Sequence, residues 1–408
     1  MTHDTPSETS LEQLIASLRG HFDHAAMRFL RPSDALFHGR QHTGVQKFSQ
    51  SNLVSDNQAG HLSAQIQDPN LINPWGVAFA PNGPVWIANN ATGTSTLYDV
   101  DPTTDTTTAL SLVVTIAPPA GSTGPASPTG TVFNSDPKSG FLVDGKPAAF
   151  IFSTEDGTIS AWNGGTETTL EVDYSSNPAH GDATVPPGEG DGAVYKSLAM
   201  GTQNGTTLLY AANFRHGTVD VFNDQWQQVM SLTDGDLPAG FAPFNTQVLD
   251  GHLFVTFAKQ DSFKHDDVAG AGNGFVDEYN LNGKLMARVA SGGPLDSPWG
   301  LAIAPTDFGK YAGDLLVGNF GDGTISAFDL AHHDRYMGKL LGIDGKAVTI
   351  GDLWTLTPGN GGQGGSTGEI YFTAGVKDEA QGLFGSLSAV PGTDRFMITG
   401  TGSHSGHG

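Results

Sequence analysis

The sequence has no cysteine and little positive charge. Without thiols there is no disulfide framework, no cysteine nucleophile and no thiolate metal site, and the redox state of the compartment stays open. Nineteen Lys and Arg stand against 42 Asp and Glu, a formal net charge of −23. Such a surface repels phosphate backbones, which argues against nucleic-acid binding by counterion release. Charged residues total 15% and aromatics 9%, a profile unlike a coiled coil or helical bundle. No apolar run reaches the roughly 18–20 residues that cross a bilayer as a helix. G-x-S-x-G, P-loop and H-E-x-x-H motifs are missing, which lowers the standing of those chemistries. The start of the chain lacks the basic residues, continuous apolar stretch and cleavage site of a secretory signal, and the sequence assigns no compartment.

What is abundant is glycine, 55 of 408 residues, well above a typical share of about 7%. The glycines punctuate a repeat. NPWGVAFAP (73–81) returns as SPWGLAIAP (297–305), and each is followed by two further strands, PVWIANNATGTSTLYD (84–99) and DLLVGNFGDGTISAFD (314–329). AAFIFSTEDGTISAWN (148–163) and TLLYAANFRHGTVDVFN (207–223) repeat the strand–turn–strand unit, and two degenerate copies occupy 252–280 and 369–387. Candidate first strands begin near Pro74, Val132, Val194, Phe244, Pro298 and Leu353. Six glycine-turned units with alternating apolar residues, about four short strands each, predict an all-β, six-bladed β-propeller over 51–392. Segment 51–72 is placed to close the ring with the last blade.

Residues 1–50 read as an extension with one amphipathic helix, about 10–30. Leu11, Leu14, Ile15, Leu18, Phe22, Ala25 and Phe29 recur at spacings of three and four, Ser10 and Gln13 form a capping box, and Pro32 stops the helix. This helix packs on the propeller or mediates a homo-oligomer. Residues 393–408 read as a flexible glycine-rich tail.

NLVSDNQAG (52–60), the two PWG repeats, STEDGTISAWN (153–163), AVYKSLAM (193–200), AKQD with KHDDVAGAGNGFVDEYN (258–280) and GNFGDGTISAFD (318–329) resemble a bacterial family of six-bladed propeller proteins without an established activity. Many members are exported and some carry a PEP-CTERM sorting tail. The resemblance spans about 51–390 and implies the fold but no reaction. Export signal and hydrophobic sorting tail have no counterpart in this sequence. The strand pattern is more distantly similar to lactonase-like and NHL-type propellers.

In a propeller the innermost strands line a channel, and loops between blades crowd its mouth. Aligning the copies on Gly-Thr puts Asn89, Ser153, Asn213, Thr256, Asn319 and Thr373 in one column, with Glu155 and Asp322 close behind. Two readings stand. Asn89, Asn213, Asn319 and Asp322, together with Asp266 and Asp267, form an oxygen-rich site for a divalent cation, calcium first; or the column ties off strand ends and turns. The insertion AKQDSFKHDDVAGAGNGFVDEYN (258–280) interrupts its blade and must project as a loop. Of Asp266 and Asp267, neighbours on an extended chain, one binds while the other caps the loop. His216 and His265 are the acid–base candidates, with Lys259 and Glu155 beside them. His180, His216 and His265, if they met, would instead hold a transition metal. Lys196, Arg215 and Gln260 are placed to fix a small, possibly anionic, substrate. Trp75 and Trp299, equivalent in their blades, read as packing wedges. The function so expected is a metal-dependent hydrolase, lactonase-like, or a lyase. The alternative is a binding or scaffold propeller.

Overall fold

The computed structural model describes residues 41–42, 45–56, 63–136, 138, 140–175, 192–392 and 396–397. The amphipathic segment 10–30, His180 and the tail from 398 lie outside them.

Six sheets stand around one axis, five of four antiparallel strands that lead from the channel outward and the last with a fifth, Ile66–Gln67, added in parallel at its outer edge. Blade one runs Pro74–Ala78, Val85–Asn89, Thr94–Val100, Thr107–Thr115. The innermost strands of blades two to six are Pro128–Phe133, Tyr195–Gln203, Phe241–Leu249, Pro298–Ile303 and Leu353–Pro358. Each begins within four residues of the position read from the sequence. The Gly-Thr signature has a backbone cause. Gly93, Gly157, Gly217 and Gly323 adopt φ of 66°, 82°, 69° and 69°, a left-handed geometry that glycine reaches without Cβ strain. The following threonine then enters the third strand.

The last blade is completed from the other end of the chain. Strand Phe48–Ser55 pairs antiparallel with Leu383–Ala389, Phe48 opposite Ala389 and Ser55 opposite Leu383. It begins three residues ahead of 51. Phe48, Leu53 and Val54 are buried there, so closing the ring and filling the core between blades are one event.

Neighbouring innermost strands approach closely. A Cβ on Gly76 would lie 2.5 Å from the Thr129 carbonyl oxygen, and one on Gly130 2.2 Å from the Leu198 nitrogen. The glycine of the PWG repeat is thus a packing requirement between blades. Removing the Leu53 side chain from the closing strand should cost about 2–5 kcal/mol, whereas Val45→Ala, at a position 55% exposed, should cost less than about 0.5 kcal/mol. Urea unfolding of the two variants checks this, and equal midpoints would show that the strand does not hold the ring.

Candidate functional site

Aromatic side chains fill the channel at the end where the innermost strands begin. Trp75 of blade one stacks on Trp354 of blade six, with ring centroids 3.5 Å apart, and meets the edge of Trp299 of blade five at 6.3 Å. Phe320 stacks on Trp354 at 4.2 Å, and Phe244 of blade four lies 5.9 Å from it. Blades one and five are not neighbours, so their rings meet only across the axis. Trp75 and Trp299 are therefore channel-filling residues, a more central role than the wedge between blades expected of them.

Lys196 lies against this floor, 2% exposed, its ammonium 5.3 Å from the Trp75 ring centre and 5.8 Å from that of Phe214. A buried ammonium requires carboxylate partners. It donates to Glu155 of blade two and, at 3.3 Å, to Asp266 Oδ1 of the blade-four insertion. Burial opposes its charge, but the two carboxylates outweigh it and raise the Lys196 pKa above its ordinary value. His265 Nδ1 lies 2.9 Å from Asp266 Oδ1. That hydrogen bond, with the Lys196 charge, holds the Asp266 carboxyl well below the usual carboxylate range. Ligand atoms of Glu155, His265 and Asp266 fall within 4.8 Å of one another, the one cluster of metal-ligand type among the described residues.

Two asparagines continue the site toward blade six. Asn90 Nδ2 donates to Glu155 Oε2 at 2.8 Å, and Asn73 Nδ2 donates to Glu379 Oε2 at 2.6 Å. Glu379 stands in the turn of the last blade, where Lys377, Asp378 and Glu379 take consecutive φ of 62°, 55° and 61°. Three left-handed non-glycine residues in succession are costly, and such strain concentrates at functional sites. Burial, and then the charge of Glu155, push the Glu379 carboxyl up to about 7. Asp267 is also raised by burial, and its Oδ2 is buried without a hydrogen-bond partner.

Two uncharacterized proteins of Acanthamoeba polyphaga mimivirus are similar to this chain over most of its length. One is 31% identical over 348 residues, covering 82% of this chain and 78% of the relative. The other is 30% identical over 331 residues, covering 78% and 81%. The chain belongs to their family. No family model matches it. Among solved structures, virginiamycin B lyase from Staphylococcus aureus is similar with a TM-score of 0.46 and 11% identity, over 85% of this chain and 100% of that one. A protein of unknown function from Bacteroides thetaiotaomicron gives 0.49 and 12%, over 85% and 76%. PQQ-bound aldose sugar dehydrogenase from Streptomyces coelicolor gives 0.45 and 12%, over 85% and 100%. None of these chemistries carries over to this chain on such likeness.

In this member of the mimivirus-protein family, the mouth gathers Glu155, Lys196, His265 and Asp266 from among the residues singled out by sequence, with Asp267 adjoining. Others lie elsewhere. Asn213 is bonded to Asp220, to His216 Nδ1 and to the backbone N–H groups of His216 and Val194. Asn319 donates to the Pro294 carbonyl and to Thr324 Oγ1. Asn89 donates to Thr94 and Thr96, and its Oδ1 is buried without a partner. Those bonds are the strand-tying reading of the column. Asp322 accepts from Thr324 and pairs with Lys339 on the outer strand of its own blade. His216 stays with Asn213, outside the Glu155 cluster. Arg215 is buried and donates to the Gly192 carbonyl, Gln260 Nε2 donates to the Phe214 carbonyl and anchors the insertion, and Lys259 is exposed at its strand end. Sequence reading missed Asn73, Asn90 and Glu379. Only the Asn before PWG carried a signal, since a residue preceding proline is restricted in conformation.

Lys196 is the hub of these contacts, and the exposures of its partners separate their contributions. Lys196→Met leaves Glu155, 13% exposed, without its cation and should cost about 3 kcal/mol. Asp266→Asn, at a side chain 67% exposed, should cost at most about 1 kcal/mol. Denaturant unfolding at neutral pH reads both, and the reverse order would remove Lys196 from the centre of the site.

Proposed function

We propose that the channel mouth is the active site of a metal-dependent hydrolase or lyase acting on a small molecule. The observation that supports it best is convergence: Glu155, His265 and Asp266, from two blades, bring ligand atoms within 4.8 Å beside a buried ammonium and over an apolar floor. With one imidazole among three donors, manganese or zinc suits the cluster better than calcium, which prefers six to eight oxygens. A bound ion would polarise an ester or lactone carbonyl, or lower the pKa of a water. This chain's residues would fix the ion and exclude water below it. The expectation of an anionic substrate rested on Lys196 and Lys259, with Arg215 beside them; the Lys196 charge is taken up by Glu155 and Asp266. A neutral, oxygen-bearing substrate fits the remaining carboxylates better.

The ion and the Lys196 ammonium draw on the same two carboxylates, so the metal must compete with it. Titration calorimetry with manganese, zinc and calcium on metal-free protein should show one site, abolished by Glu155→Gln and weakened by Asp266→Asn. At a hundredfold excess over Kd, binding should stabilise the fold by about 2.7 kcal/mol. No heat with any of the three ions would remove the metal from this reading. Metal binding without turnover of a lactone and ester panel would leave a binding propeller.

A further inference from the structure

The two glutamates of the mouth are tied into the site unequally. Glu155 has both oxygens engaged, Oε1 by Lys196 and Oε2 by the Asn90 amide. Glu379 has one oxygen engaged, Oε2 by the Asn73 amide, and among the described residues Oε1 has no hydrogen-bond partner. The Asn73 amide is oriented unambiguously. Its Oδ1 accepts from Trp354 Nε1 at 3.0 Å, an indole N–H being a donor only, which turns the NH2 toward Glu379 and, at 3.4 Å, toward Asn90 Oδ1. Asn73 is itself fixed, 4% exposed at a φ of 48°, with its carbonyl accepting from the Asn90 N–H at 3.0 Å. On its other side, the turn that carries Glu379 is braced where the Asp378 N–H donates to Asp352 Oδ2 at 3.0 Å. A carboxyl fixed through one oxygen on a braced turn, with the other oxygen left open at a channel mouth, is built to exchange a proton with something that enters.

We infer that Glu379 is the general acid of the site, donating the proton on Oε1 to an alkoxide leaving group of a lactone, ester or other neutral substrate with a cleavable C–O bond. This rests on the hydrolase reading above and assigns its proton. As the C–O bond breaks, the electron pair stays on the leaving oxygen and the Glu379 proton goes to it. Water oxygen bonds to the carbon, and the proton that water sheds returns Glu379 to its acid form, so the net reaction is addition of one water. The charged groups that act on Glu379 are Glu155 and Asp266, which favour its protonated form, and Lys196, which opposes it. A carboxyl acting as an acid beside a second carboxylate is the pattern of paired acid sites, and here Glu379, with one oxygen open, adjoins Glu155, whose two oxygens are both engaged.

The test compares leaving groups. Full-length protein and the isosteric Glu379→Gln variant, matched by melting temperature, are assayed on aliphatic lactones and alkyl esters and on the corresponding nitrophenyl esters. Loss of an acid that protonates a poor leaving group should lower kcat about 100-fold or more on the alkyl substrates and less than about threefold on nitrophenyl ones, whose anions leave unaided. In the wild type the alkyl rate should fall as pH rises past about 7, because the proton is lost there, and Glu379→Gln should remove that limb. Equal losses on both classes, or an unchanged pH profile in the variant, overturn the inference. No turnover of any substrate by the wild type would instead overturn the hydrolase reading on which it rests.

Discussion

Ring closure is the constraint on which the rest of the molecule depends. No single blade has a core of its own: each face is covered by its neighbour, so the stack gains its burial only when the last blade meets the first. Here the meeting is made by strand Phe48–Ser55 on Leu383–Ala389, reinforced where the Gly382 N–H donates to Asp56 Oδ1 across 326 residues of sequence. The same seam carries half of the candidate site. The Asn73 N–H donates to the Gln381 carbonyl, and Gly382 passes so close to Leu71 that a Cβ would lie 1.7 Å from its carbonyl oxygen. Asn73 and Glu379 are thus positioned by closure itself, and what seals the ring also sets the distance between the first and last blades at the mouth.

The fold was legible because its signals are local and repeated. Gly93, Gly157, Gly217 and Gly323 mark identical turns, and the PWG glycines mark identical close approaches, so one chemical requirement appears several times in the sequence. The site was legible where a residue departed from that repeat. The insertion that carries His265 and Asp266 stood out by its length, and Lys196 stood out as the one charged residue of its innermost strand, Tyr195–Gln203. Glu379 carried no such mark. Its blade lacks the Gly-Thr turn, and its role depends on a three-residue left-handed turn whose sequence, Lys-Asp-Glu, has none of the glycine or asparagine that such a backbone favours. The asparagine column left two readings open for a related reason. Amides that recur at one repeat position are as well explained by recurring strand ends as by convergent ligands, and Asn213 and Asn319 bond Asp220 and Thr324, in or next to the strand that follows each.

Electrostatics give the mouth its character. In a chain of net charge −23, one more acidic cluster would be unremarkable on the surface. Glu155 and Glu379 are different because they stand over aromatic rings that fill the channel, where water cannot solvate them from below. In such surroundings an uncompensated carboxylate either takes a proton or finds a cation. Glu155 finds a cation in Lys196, and burial pushes the Glu379 carboxyl up to about 7. Lys196 is in turn kept charged only by the carboxylates it neutralises.

The aromatic floor also fixes the direction of traffic. Because Trp75, Trp299 and Trp354 meet across the axis, aromatic rings occupy the channel beneath Lys196, and a ligand of the proposed site would approach from the side of the blade-four insertion and the blade-six turn. The exposed Phe263 and Val268 flank His265 and Asp266 in the sequence of the insertion. A small molecule of the proposed kind would bury its polar, oxygen-bearing end against Glu155 and Glu379. Water beneath the polar end would be excluded by the rings, so each charge at the mouth would act on it with little screening. The site therefore derives its strength from the same packing that makes the fold rigid: the channel is closed by the residues that the blades need in order to meet.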